Sequence, residues 1–149
     1  MNFFNKTALL AGVVAVSTVS VAKAGPQVTV NFKNNSGEVA LYVRGSSRNE
    51  TTTYGNSSPS PRAVDAGGQH SYVVRATGSS PITYATVKYQ AGSKVCQFTT
   101  SYLMNSTPGG LRTPKWNKSA VASGGARCDI SIATVNYSSH DWAVTLTIR

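Results

Sequence analysis

The acid–base groups of this chain are few: Glu38, Glu50, Asp65, Asp129, Asp141, His70 and His140. Paired-carboxylate hydrolysis needs two acids that converge in different environments. Here Glu38, Asp65 and Asp141 sit beside turn residues, Glu50 lies in a hydroxyl-rich stretch, and Asp129 falls on the polar face of an alternating run. An activated nucleophile needs a base that is itself oriented. No G-x-S-x-G elbow is present, and His140 and Asp141 are neighbours on a turn, where adjacent side chains point apart. Zinc asks for three or four His, Cys or carboxylate ligands and calcium for a dense oxygen cluster; neither pattern occurs. No glycine-rich phosphate loop follows a strand and opens a helix. The expectation is a non-enzymatic protein, with no catalytic residues, no metal and no cofactor.

The stretch that invites a partner is Leu111-Arg112-Thr113-Pro114-Lys115-Trp116-Asn117-Lys118. It sets Trp116 among Arg112, Lys115 and Lys118, between Gly109-Gly110 and Gly124-Gly125. Three readings fit. The indole can sit at headgroup level with the cations on anionic lipid; it can stack on a sugar ring; or it can fold back onto the core while the cations are solvated. Arg48, Tyr54 and Arg62 offer a second cationic and aromatic mixture. All seven residues are candidate surface contacts.

These side chains must be carried by strands. Val28, Val30 and Phe32 alternate with Thr29, Asn31 and Lys33, and Val39, Leu41 and Val43 alternate after Asn34-Asn35-Ser36-Gly37. Two alternating runs joined by an Asn/Gly-rich turn predict a hairpin. Further strands are expected over 70–76, 82–90, 94–103, 128–137 and 142–148, with almost no helical period. The fold class is therefore all-β: a single antiparallel β-sandwich of about seven to eight strands with one internal disulfide. Cys96 shares a face with Phe98, and Cys128 with Ile130 and Ile132, so both sulfurs should point inward. Their bond would close a loop of about 33 residues, which stabilises by about 3–4 kcal/mol in the chain-entropy model. Residues 45–63 and 104–126 read as long loops, the lengths at which loops tend to be functional.

The N-terminus reads as an export signal. A single cation at Lys6 precedes a run of about 15 uncharged residues rich in Ala, Val and Thr, and Ala22-Lys23-Ala24 supplies a small-x-small site. A membrane anchor needs a longer uninterrupted apolar stretch. The expected organisation is a cleaved signal over 1–24 and one domain over 25–149, secreted or periplasmic, where two cysteines oxidise. The chain has 14 basic and 5 acidic side chains, and without Lys6 and Lys23 its net charge is about +7. That favours an anionic lipid or glycan surface, or a protein partner. Scattered single cations and export weigh against nucleic acid. Asn34, Asn49, Asn56, Asn105, Asn117 and Asn136 head N-x-[ST] triplets, which a Ser/Thr-rich chain with a bacterial-looking signal carries by composition.

On Val28-Thr29-Val30-Asn31-Phe32-Lys33-Asn34-Asn35-Ser36 leading into Leu41, and Val64-Asp65-Ala66-Gly67-Gly68 before a strand, the layout resembles small secreted β-sandwich proteins of the aegerolysin-like and related lectin or cytolysin groups. The resemblance covers about the first half of the chain after the signal. It implies lipid or sugar binding and transfers no functional residue. Aegerolysins tend to be acidic, whereas this chain is basic. Together these features lead to an exported binding protein for an anionic or carbohydrate-bearing envelope or membrane surface, with membrane activity as one form of it. The alternative is a protein-binding inhibitor or immunity protein using the same loops or a sheet edge.

Overall fold

The computed structural model describes residues 25–76 and 82–149; the expected signal at 1–24 lies outside the described residues. Two sheets pack face to face as an all-β sandwich. The first contains β1 (Gln27–Asn34), β3 (Ser57–Ser58), β4 (Gln69–Arg75), β8 (Cys128–Val135) and β9 (Trp142–Ile148), in the order β3-β4-β1-β9-β8. The second contains β2 (Leu41–Tyr42), β5 (Thr83–Ala91), β6 (Lys94–Ser106) and β7 (Arg112–Ser123), in the order β2-β5-β6-β7. A short helix, α1 (Arg48–Gly55), packs along β5.

Alternation places Val28, Val30 and Phe32 of β1 in the core beside Val144, Leu146 and Ile148 of β9, all essentially fully buried. Facing them are Val87, Tyr89 and Phe98. Phe32 stacks on Tyr89 with ring centroids 3.6 Å apart. The polar tips of the large rings are answered inside: Tyr89 Oη donates to Tyr72 Oη at 3.4 Å, and Trp142 Nε1 donates to Thr100 Oγ1 at 2.9 Å. Burial pushes both the Tyr72 and Tyr89 hydroxyls well above the ordinary tyrosine range. The Cys96–Cys128 disulfide joins β6 of one sheet to β8 of the other, as the inward-facing sulfurs required.

The structure departs from the sequence expectations at five points. The Val28–Phe32 and Val39–Val43 runs do not form a hairpin. Both sides of β1 are already occupied, by β4 antiparallel and by β9 parallel, so the sandwich is not wholly antiparallel. After Asn34 the chain crosses to the other sheet, where Leu41 and Tyr42 pair with Gln90 and Tyr89. The alternation there runs in the opposite phase from its sequence reading. Val39 and Leu41 are exposed, and the fully buried residue is Ala40, bridged to Val64 by two 2.9 Å backbone bonds.

The long loop expected over 104–126 is instead the end of β6 and the whole of β7, paired from Ser106↔Arg112 to Val95↔Ser123. It escapes an alternation search because β7 is an edge strand. Its core-side positions, opposite Met104, Tyr102, Thr100 and Phe98, hold Pro114, Trp116, Lys118 and Ala120 instead of a run of large apolar residues. An edge also tolerates Pro114, whose missing N–H would break an interior ladder. The other long loop, 45–63, holds α1. Its signature is Ser47-Arg48-Asn49-Glu50, a capping box in which Ser47 Oγ accepts from Glu50 N and Glu50 accepts from Ser47 N, both at 3.3 Å.

The crossing after β1 hangs on Asn34, fully buried at the end of its strand. Its Nδ2 donates to the carbonyls of Glu38, Val64 and Asp65 at 2.6, 2.8 and 3.1 Å, and its Oδ1 accepts from Ser36 N and Oγ. Removing the amide strands several buried carbonyls, each costing about 1–3 kcal/mol. Asn34→Ala should therefore lower unfolding free energy by about 2–4 kcal/mol in urea titration. Asn105→Ala, on the exposed end of β6, serves as the control and should change it by under about 0.5 kcal/mol.

Candidate surface-docking site

The sequence candidates fall into two separate groups. Arg48 and Tyr54 lie on α1, and Arg62 follows in the segment leading to β4. Arg112, Lys115, Trp116 and Lys118 lie on β7, with the width of β5 and β6 between β7 and the helix. In the first group Tyr54 and Arg62 have partners within the fold, while Arg48 and Arg62 are exposed. Tyr54 stacks against Tyr42 at 5.8 Å under the Arg44 guanidinium, 4.4 Å from its ring centre. Arg62 Nε donates to His70 Nδ1 at 3.3 Å, while His70 Nε2 lies 3.3 Å from Ser60 O. Arg48 is exposed in the first turn of α1.

Glu50 anchors the helix on this side. Its carboxylate is buried against Gly45, where any Cβ would overlap it, and accepts from Ser47 Oγ at 2.6 Å while pairing with Lys88 Nζ at 3.2 Å. Thr53 Oγ1 accepts from the Thr86 amide at 3.0 Å, answering an edge N–H of β5. The helix thus covers the β5 edge. The Ser47 hydroxyl, and after it Lys88, hold the Glu50 carboxyl below its ordinary 4.5 against the opposing effect of burial.

The β7 side is open. Trp116 is not in a loop: it is half-buried on the core-side face of β7. Its Nε1 donates to His140 O at 3.2 Å, and its ring lies 5.6 Å from Tyr102 and edge-on to Tyr137 at 5.4 Å. His140, held at φ 66° in the β8–β9 turn, stacks on Tyr102 at 5.0 Å. Trp116 therefore ties β7 to that turn. Lys118 faces the core side and donates to Ile130 O of β8 at 3.0 Å. An exposed lysine and Pro114 on the edge strand both discourage strand addition there.

Beyond Trp116, β6 and β7 continue as a two-stranded finger. The last residue of β6 that pairs with β5 is Tyr102, opposite Thr83, and the β6–β7 ladder runs on to Ser106↔Arg112. Four more residues per strand make about 14 Å of reach. The tip, Thr107 to Leu111, turns through Gly109 and Gly110 at φ 107° and 81°. Leu111 is 72 % exposed at the tip, and Tyr137 is 71 % exposed at the base beside Trp116. Arg112 and Lys115, both exposed, stand behind Leu111 on opposite faces of the finger. Sequence reasoning quoted Leu111 as the first residue of the cationic stretch without giving it a role and passed over Tyr137, although Pro108-Gly109-Gly110 before Leu111 marks a hairpin tip.

The acids are dispersed. Asp129 pairs with Arg149 at 2.8 Å, and Asp141 accepts from Gln27 N at 2.7 Å and Ser139 Oγ at 2.9 Å. Among the described residues no three His, Cys, Asp or Glu converge on a metal-sized point, and no helix is long and apolar enough to cross a membrane. No protein-family model matches this chain, and no curated protein matches it either.

Two outcomes follow. Trp116→Ala removes a packed indole and leaves His140 O unanswered, so it should lower unfolding free energy by about 2–4 kcal/mol; a purely surface tryptophan would leave the melting curve unmoved. Glu50 has a depressed pKa in the folded state, so its stabilisation is present above its ordinary unfolded pKa and is lost as pH falls through the lower folded value. The stability gap between the protein and Glu50→Gln should accordingly be full at neutral pH and shrink below about pH 4. Urea melts across that range measure it.

Proposed function

We propose that this is an exported, non-enzymatic binding domain that docks on an anionic membrane or envelope surface by the β6–β7 finger. The observation that carries the reading is the exposed Leu111 at the tip with Arg112 and Lys115 immediately behind it. A tip of this kind puts one apolar side chain at the acyl boundary while the cations meet headgroup phosphates. Trp116, packed against Tyr102 and Tyr137 and bonded to His140 O, anchors the base of the finger. The disulfide and the signal pattern of the N-terminus support export.

Magnitudes decide the character of the binding. Burying one leucine contributes about 1.5–3 kcal/mol, and each cation near an anionic leaflet about 1 kcal/mol. Charge and insertion are therefore comparable, and the contact is weak, reversible and salt-sensitive. For the protein-binding alternative, Pro114 and Lys118 weigh against strand addition at the β7 edge and leave the loops and the other sheet edges as its contacts.

Co-sedimentation with phosphatidylcholine vesicles, with and without phosphatidylglycerol, at low and high salt tests the proposal. The protein should pellet with anionic vesicles at low salt. Leu111→Ser and the double variant Arg112→Ser/Lys115→Ser should each weaken that binding by about tenfold or more, the equivalent of about 1.4 kcal/mol. Binding indifferent to all three substitutions would remove the finger from the account. No binding to either vesicle would set the membrane reading aside in favour of a protein partner.

A further inference from the structure

A cleft of about 340 Å³ opens on the outer face of the five-stranded sheet, beside the turn that carries Tyr137. Its floor comes from register. Thr29 of β1, Ala143 of β9 and Thr134 of β8 form one row across three strands, all on the outer face because their neighbours Val28, Val30, Trp142 and Val144 are buried. A bulge between Ile132 and Thr134 makes this row possible. The extra residue, Ala133, returns Thr134 to the outer face and lets Val135 pair with Trp142. Small Ala143 between two threonines leaves a hollow, and Asn136 and Asp141 wall its end. Bulges that re-aim a side chain are common beside binding sites.

The lining indicates the ligand class. Among the described lining residues the only formal charge is the Asp141 carboxylate, so a phosphate or sulfate is disfavoured, in contrast to the cationic finger. Its exposed wall is slightly more polar than apolar, with Val135, Trp142 and Ala143 beside the polar side chains, a mixture that fits a sugar ring with its apolar faces and hydroxyl rim better than an acyl chain. Its volume is at the lower end of the range of about 300–1,000 Å³ for small-molecule sites. The polar groups are held in place. Asp141 Oδ1 accepts from Gln27 N and Oδ2 from Ser139 Oγ, leaving a further lone pair on each oxygen. Asn136 Oδ1 accepts from Ser138 N at 2.8 Å and Ser139 N at 3.0 Å, which leaves its Nδ2 to donate outward. A fixed pair of acceptors, an amide donor and two hydroxyls match the vicinal hydroxyls of a sugar ring, each of which both donates and accepts.

We infer that this cleft is a saccharide subsite, taking one or two neutral sugar rings through Asp141, Asn136, Thr29 and Thr134. It stands independently of the finger, so the two can fail separately. Titration of the ¹⁵N-labelled protein with methyl glycosides of glucose, mannose and galactose should shift the amides of Thr29, Thr134 and Ala143 for at least one of them. Asp141→Asn keeps an acceptor for Gln27 N–H but loses the charge, and should weaken that binding by about tenfold or more. Thr134→Arg should fill the cleft and abolish binding. Leu111→Ser should leave the sugar shifts intact. No shift with any glycoside at tens of millimolar, or binding unchanged in both cleft variants, overturns the assignment. Vesicles with and without a galactosyl lipid identify the source: enhanced pelleting points to a membrane-borne sugar, and sugar shifts without enhancement to a soluble or wall glycan.

Discussion

The path of this chain depends on one buried amide. Asn34 ends the central strand of one sheet at a point where the backbone must leave for the other, and its carboxamide meets carbonyls from residues 38, 64 and 65 there. A buried amide group with no partner costs several kcal/mol, so such a residue holds only the arrangement that satisfies it. The consequences spread outward. The 64–65 segment is drawn against the crossing, Ala40 bridges Val64, and β4 starts from Gly68 in register with β1. With β4 on one side and β9 on the other, β1 has no edge left for the run that follows it.

A two-sheet sandwich leaves open flanks, and this protein treats its two flanks differently. On one, α1 lies along β5, anchored by the Ser47–Glu50 box, the Glu50–Lys88 pair and the Thr53 hydroxyl on the Thr86 amide. On the other, β8 is joined to β6 by the Cys96–Cys128 bond and to β7 by the Lys118–Ile130 contact and the short 124–127 connection. No ladder joins β7 to β8, so the finger can leave the body without disturbing a shared sheet. The aromatic group of Tyr102, Trp116, Tyr137 and His140 marks where the packed sandwich ends and the projection begins.

The proposed contacts divide along the same physical line. The finger is apolar and cationic, suited to an interface between water and an anionic surface. The cleft is hydroxyl-rich and carries one carboxylate, suited to a hydrogen-bonding ligand. They share the β8–β9 turn, whose Tyr137 stands at the base of the finger and whose Asn136 and Asp141 wall the cleft. A surface presenting both anionic groups and sugars would engage them together, and two weak contacts on one rigid body reinforce each other by effective concentration.

Local patterning in the sequence was enough for the all-β class, for most strands and for the inward-facing cysteines, because period-two burial and side-chain direction are properties of a strand by itself. The capping box of α1 was equally local and could have been read from Ser47 and Glu50. Pairing was different. Val39 and Leu41 alternate as well as Val28 and Val30 do, and nothing within either run says that β1 already has neighbours on both sides. Nor does 112–123 announce a strand, since an edge position relaxes the apolar pattern that marks interior strands and admits Pro114 and Lys118. Trp116 among three cations is the same sequence whether it meets solvent or Tyr102. Only the tertiary structure decided that it turns inward and leaves Leu111 exposed at the tip, because burial depends on which strands arrive alongside.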